Sequence, residues 1–194
     1  MRLFVALWPS KKALGVLAEA VHRGRRHDPD LRWTRVEEWH LTLLFLGEVP
    51  EDRVSGLTEA LESALGGHPA LDLALDGWGT FPQRAGRASV LWAGVEGEGL
   101  LELAHDLRET VRSVGVPIES RPFVPHLTLA RARPPRSLDR TLCALGASPR
   151  IGWRADRIDL VQSRPGRADR YRTVRTWGLP WGSDSQRTSD RGTS

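Results

Sequence analysis

His40-Leu41-Thr42-Leu43 and His126-Leu127-Thr128-Leu129 are near copies of one four-residue pattern, set 86 residues apart in a chain of 194. Each copy follows extended or proline-containing sequence and opens a run of strand-favouring side chains. Successive side chains of a strand alternate between its faces, so His40 and Thr42 point one way and Leu41 and Leu43 the other. His126 and Thr128 stand against Leu127 and Leu129 in the same manner. Each copy is thereby anchored in a core by leucines and offers an imidazole beside a hydroxyl. A single His-x-Thr on a strand is ordinarily a partly buried histidine next to a β-favouring threonine. A repeat at nearly half the chain length implies more: two pseudo-symmetric lobes, with symmetry able to bring both histidines to one cleft.

Outward from the two copies, the chain alternates strands with a few helices. Leu3 to Trp8 read as a buried strand ended by Pro9. Ser10 is a candidate N-cap for a helix carrying Leu14, Leu17, Ala18 and Val21 at helical spacing, with Gly24 as its expected end. A short strand at 31–35 leads into 39–46, which Gly47 and Pro50 stop. Val54, Leu57, Leu61 and Leu65 mark a second helix closed by Gly66-Gly67. Leu71, Leu73 and Leu75 alternate as a strand does, and a second strand at 89–95 follows a Gly/Pro-rich stretch at 77–86. Leu100, Leu103, Ala104, Leu107, Val111 and Val114 give the cleanest helix. Strands at 123–131, 157–163 and 171–177 complete an α+β fold with largely antiparallel pairing. Residues 1–182 are expected to form one domain, and 183–194, without a large apolar side chain, a disordered tail.

Composition excludes several classes. Hydrophobic residues are 40% and charged residues 27% of the chain, ordinary globular usage rather than fibrous or wholly disordered. The longest purely apolar run is six residues, too short for a membrane span or a signal-peptide core. Cys143 is the single cysteine, so there is no intrachain disulfide and no cysteine-based metal site. A cytoplasmic monomer is expected.

The pattern itself narrows the chemistry. Neither copy offers the carboxylates or the His-x-His and His-x-x-x-His spacings of a metal site. No Gly-x-Ser-x-Gly elbow supports a serine nucleophile. Two imidazoles suit paired acid–base catalysis, in which one accepts a proton from the nucleophile and the other donates one to the leaving group. Threonine hydroxyls donate to phosphoryl oxygens, and an arginine offsets growing negative charge. Arg131 follows the second copy, but strict alternation puts it on the leucine face, so its role requires a bulge or a strand end. Phe45, at the same offset from His40, falls on that face too and reads as core.

With these residues in view, the sequence resembles the two-histidine phosphoesterases, and more narrowly the RNA 2′,3′-cyclic phosphodiesterases, also called 2′-5′ RNA ligases. Arg2 to Trp8, WHLTLLFLG at 39–47, VLW at 90–92, RPFVPHLTLAR at 121–131 and the closing strand with Tyr171 and Trp177 carry the resemblance. It implies a bilobal α+β fold with two antiparallel sheets around a central cleft, flanked by helices. It assigns His40 as proton donor and His126 as proton acceptor, and gives Thr42, Thr128 and Arg131 the phosphate. It implies no metal and no other cofactor. The implied activity is hydrolysis of RNA 2′,3′-cyclic phosphate ends to 2′-phosphate ends, with reversible 2′-5′ ligation open to the same groups. RNA, tRNA-derived strands among it, is the implied partner. A phosphodiesterase for small cyclic nucleotides or ADP-ribose cyclic phosphates, and a non-catalytic nucleotide- or RNA-binding module, stay open as alternatives.

The remaining side chains divide less sharply. Trp8, Trp39 and Trp92 read as core, and Trp33 or Trp78 as a cleft border able to stack on a base. Cys143 reads as a buried small residue. Arg164, Arg167, Arg170 and Arg172 form either a solvated turn or an RNA-backbone clamp. The formal net charge of +4 is unremarkable, yet residues 121–182 hold 13 arginines against four acidic residues. That concentration points to an anionic substrate longer than a mononucleotide, entering beside the second copy.

Overall fold

β1 (Arg2–Leu7) lies between β3 (Leu41–Glu48) and β8 (Arg157–Ser163), antiparallel to both. A strand paired on both edges and covered on both faces needs apolar side chains throughout, and Leu3 to Leu7 are all buried. β9 (Tyr171–Gly178) closes this half beyond β8. The other half repeats the order with β6 (His126–Arg136), β5 (Ala88–Glu96), β4 (Leu71–Phe81) and β7 (Gly152–Ala155). The path across the sheet is β7-β4-β5-β6-β3-β1-β8-β9, with the two-residue β2 (Arg32–Trp33) beside β6. This computed structural model describes residues 1–82 and 87–180; the expected tail and positions 83–86 lie outside them.

Among the described residues, the two halves meet through one bridging pair, Leu41 with Leu127, both fully buried. The two expected sheets are therefore four-stranded halves of one curled antiparallel sheet. Their junction falls at the leucines immediately after the two histidines.

Four helices cover the leucine face: α1 (Lys11–His27), α2 (Val54–Leu65), α3 (Leu100–Ser113) and α4 (Asp139–Leu145). α1 packs with α4, and α2 with α3. The Ser10 hydroxyl accepts from the Ala13 amide at 3.2 Å, the expected N-cap. Gly24 does not end α1, which runs one turn further; a Cβ there would sit 2.7 Å from the Leu145 side chain, so its smallness admits α4. Asp28, just beyond α1, is buried and accepts from Arg136 at 2.6 Å and from Thr141 at 2.7 Å. That network ties α1 to β6 and α4. Cys143 is exposed rather than buried, because Thr141 and Leu145 are the buried positions of α4.

β4 also departs from expectation. It passes through the glycine-rich stretch to Phe81, with Gly77 at φ 76° and an irregular register between Leu75 and Trp78. The glycines here make room. A Cβ on Gly79 would lie 2.1 Å from the Trp92 ring, and one on Gly94 would lie 2.0 Å from the Asp76 carbonyl oxygen. No helix among the described residues is long and apolar enough to cross a membrane.

Candidate active site

His40 immediately precedes β3 and His126 begins β6, so the junction of the half-sheets sets their imidazoles across one cleft. Each ring is fixed in the same way. Nδ1 of His40 donates to the carbonyl of Glu38 at 2.7 Å, and Nδ1 of His126 donates to the carbonyl of Val124 at 2.6 Å. A carbonyl only accepts, so the hydrogen of each neutral ring resides on Nδ1 and the lone pair on Nε2. Both imidazoles thus present the nitrogen able to take or, once charged, give a proton.

Aromatic side chains wall each ring. His40 stacks on Phe4 (4.9 Å, 28°) and touches Trp8 (5.2 Å) and Tyr171 (5.0 Å, 82°). His126 meets Phe81 (5.0 Å, 80°) and Trp92 (5.9 Å). Burial among these rings disfavours the charged imidazole and pushes His40 down from 6.5 to about 4; the Glu38 carbonyl opposes the shift, while Arg170 and His126 add to it. His126 is also lowered, first by burial, with its own carbonyl bond opposing and Arg131 adding.

The His40 shift has a stability consequence. Between pH 6.5 and 4 the unfolded chain binds a proton that folded His40 refuses, so stability is full above 6.5 and falls as pH drops towards 4. The loss is up to about 3 kcal/mol for one imidazole. Thermal unfolding across this window should show a melting temperature that falls with acidification, with a shallower slope in His40→Gln.

The strand irregularities decide which other residues face the cleft. In β3, Thr42 pairs with Ala6 and Leu44 with Val5, leaving Leu43 as an extra residue; Phe45 then pairs with Phe4. In β6, Thr128 pairs with Trp92 and Ala130 with Leu91, leaving Leu129 extra; Arg131 then pairs with Val90. One inserted residue reverses the alternation beyond it. Arg131 therefore returns to the histidine face, as its expected role requires. Phe45 does the same, contrary to its reading as core: it is 63% exposed, and its ring lies 6.2 Å from that of Phe4.

His40, Thr42, His126, Thr128 and Arg131 are thus brought together on one face. Neither threonine hydroxyl nor the Arg131 guanidinium has a side-chain partner among the described residues. Burial, followed by the Arg170 charge, holds Arg131 below its ordinary pKa, which makes an anion its natural complement. Trp33 and Trp78 do not border the cleft. They pack on the main core and donate their indole N–H groups to the Asp28 and Gly146 carbonyls, both at 2.9 Å. Trp8 and Trp92 take the cleft positions instead. Periodicity alone could not assign these collars, since their members come from β1 and the residue following it, β4, β5 and β9. The alternation of Phe4, Ala6 and Trp8 was the available signal for the first.

A model of the 2′-5′ RNA ligase superfamily matches residues 13–167, four-fifths of the chain and both motifs. The chain belongs to that superfamily. Superfamily relatives similar to it include an RNA 2′,3′-cyclic phosphodiesterase of Thermotoga maritima, 31% identical over 69% of this chain and 71% of that protein. A Thermus thermophilus protein of the same name is 36% identical over 70% of each chain. The namesake from Geobacillus stearothermophilus is 39% identical, but the match spans 53% of this chain and only 33% of that protein. Among solved structures, a crystal structure from Thermus thermophilus superposes with a TM-score of 0.78 at 28% identity, covering 94% of this chain and all of that one. Escherichia coli LigT complexed with 3′-AMP gives 0.72 at 26% identity, covering 92% of this chain and 97% of that one.

Proposed function

We propose that the chain hydrolyses 2′,3′-cyclic phosphate ends of RNA to 2′-phosphate ends, with His126 as base and His40 as acid and without a metal. The observation that carries this reading is the matched pair of imidazoles, each holding its Nδ1 hydrogen on a carbonyl and leaving Nε2 free for proton transfer at the cleft. The names of the relatives supply the substrate class.

In the proposed reaction, Nε2 of His126 takes a proton from water as its oxygen attacks phosphorus in line with the P–O3′ bond. That bond breaks, and Nε2 of His40 gives its proton to O3′, leaving the phosphate on O2′. Arg131, Thr42 and Thr128 hold the non-bridging oxygens as negative charge grows on them. The depressed pKa of His40 means that its acid proton is absent from the empty cleft at neutral pH. A bound phosphate anion reverses the local balance of charge and raises the imidazole, so the acid is loaded when substrate arrives. With a 5′-hydroxyl in place of water, the same steps join two strands by a 2′-5′ bond.

Phe45 supplies an apolar ring on the open side of the cleft, suited to stacking on the terminal base. Stacking of this kind contributes about 1–3 kcal/mol per base. Phe45→Ala should raise KM for cyclic-ended RNA roughly tenfold while kcat changes little, as read from steady-state kinetics.

Turnover of cyclic-ended oligonucleotides, compared with small cyclic nucleotides and ADP-ribose cyclic phosphates, tests the substrate class. Higher kcat/KM on the oligonucleotides is expected. Preference for the small compounds would overturn it, and binding without turnover of any of them would favour the non-catalytic module.

A further inference from the structure

We infer that Arg170 is a second phosphate-binding arginine of this cleft and takes the phosphodiester one nucleotide upstream of the cyclic end. This rests on the activity proposed above and names the group that tells a strand from a mononucleotide.

Arg170 closes the β8–β9 connection, and its main chain is tied down. Its carbonyl accepts from the Arg164 amide at 2.7 Å, and the neighbouring Ala168 carbonyl accepts from Arg35 at 3.4 Å. The guanidinium carbon lies 5.3 Å from the Tyr171 ring centre, and the same ring is 5.0 Å from that of His40. Arg170 is thus oriented by a cation–π contact one aromatic residue away from the reacting imidazole.

It is oriented without being satisfied. Its ionic partner, Glu38, stands at 3.9 Å, longer than a hydrogen bond. Glu38 is already engaged, since its Oε1 accepts from Arg35 at 2.7 Å. The Arg170 side chain remains 45% exposed.

The surroundings add to the case. Arg2, Arg32, Arg133 and Arg170 act electrostatically on Arg131 or Tyr171 at this mouth, as Arg131 does on Tyr171, with Glu38 the carboxylate that opposes them at Tyr171. Arg2, Arg32 and Arg133 have no ion pair among the described residues. So much unpaired positive charge in one place calls for more than one anionic group. Arg131 stands on the strand face of Thr128 and suits the scissile phosphate. Arg170 lies against the Tyr171 ring and is the charge Arg131 feels first, which keeps it within reach of the phosphodiester one sugar from the scissile phosphate.

The test measures binding and turnover separately. Calorimetry would compare adenosine 2′-monophosphate with the dinucleotide ApA carrying a 2′-phosphate, on wild type, Arg170→Ala and Arg170→Lys. Arg170→Ala should weaken dinucleotide binding roughly tenfold and reduce its salt slope by about one, and lysine should restore part of the loss. Binding of the monophosphate, which lacks the upstream phosphodiester, should fall by a much smaller factor. Equal loss for both ligands, or no loss for the dinucleotide, would overturn the inference. Hydrolysis of cyclic-ended ApA by the wild type reports on the underlying activity alone. Its absence would sink that reading, while the binding comparison would still decide the role of Arg170.

Discussion

Replacing His126 or His40 with alanine should lower kcat for cyclic-phosphate hydrolysis by roughly 10²–10⁴, the usual contribution of a positioned acid or base. The double variant should lose little more than either single one. In the proposed reaction one in-line displacement uses both groups at once, so removing either would already disable the concerted proton transfers, and such losses do not add. The rings also occupy space among Phe4, Trp8, Tyr171, Phe81 and Trp92, so unfolding should be followed alongside rate. Asparagine variants that keep a near-native melting temperature yet show the same rate loss would separate chemistry from packing. A single variant retaining wild-type kcat would remove that histidine from the mechanism.

Gly94→Ala is the substitution expected to damage the fold most for its size. The added Cβ would lie 2.0 Å from the Asp76 carbonyl oxygen, and a main-chain neighbour cannot swing aside as a flexible side chain can. Either β4 or β5 must move. Overpacking of this kind costs about 1–3 kcal/mol and occasionally more. At roughly 2–4 °C per kcal/mol for a domain of this size, the melting temperature should drop by about 5–10 °C. Gly94 also pairs directly with His126, so activity should fall while the protein is still folded. Gly56→Ala is the matched control: nothing lies within 4 Å of its Cβ in α2, and alanine there should leave the melting temperature unchanged or raise it. Equal melting temperatures for Gly94→Ala and wild type would contradict the packing described at the β4 irregularity.

Period-two patterning carried much of the architecture. His40 and Thr42 separate from Leu41 and Leu43 by simple alternation, and the second copy does the same, so the shared cleft and its four side chains were legible. Beyond Thr42 and Thr128 alternation fails, because Leu43 and Leu129 are inserted residues opposite β1 and β5. A bulge depends on how a partner strand pairs, and no local pattern announces it. Phe45 was misplaced for that reason, and Arg131 reached its face only through a bulge. The seven-residue α4 and four-residue β7 are too short for periodicity to register. Gly24 reads as a helix end and Gly94 as an ordinary strand position, yet their small size serves neighbours distant in the chain, Leu145 and Asp76. Tyr171, Phe81 and Arg170 meet the histidines only through the curl of the sheet.

The proposed mechanism has two imidazoles across this cleft open a cyclic phosphate towards O2′. Its most direct measurement incubates the purified chain, in EDTA, with an RNA oligonucleotide ending in a 2′,3′-cyclic phosphate, and identifies the product end. Conversion to a 2′-phosphate end, lost in the His40 and His126 variants, is the predicted result. No conversion by the wild type, or a product carrying a 3′-phosphate, would contradict it.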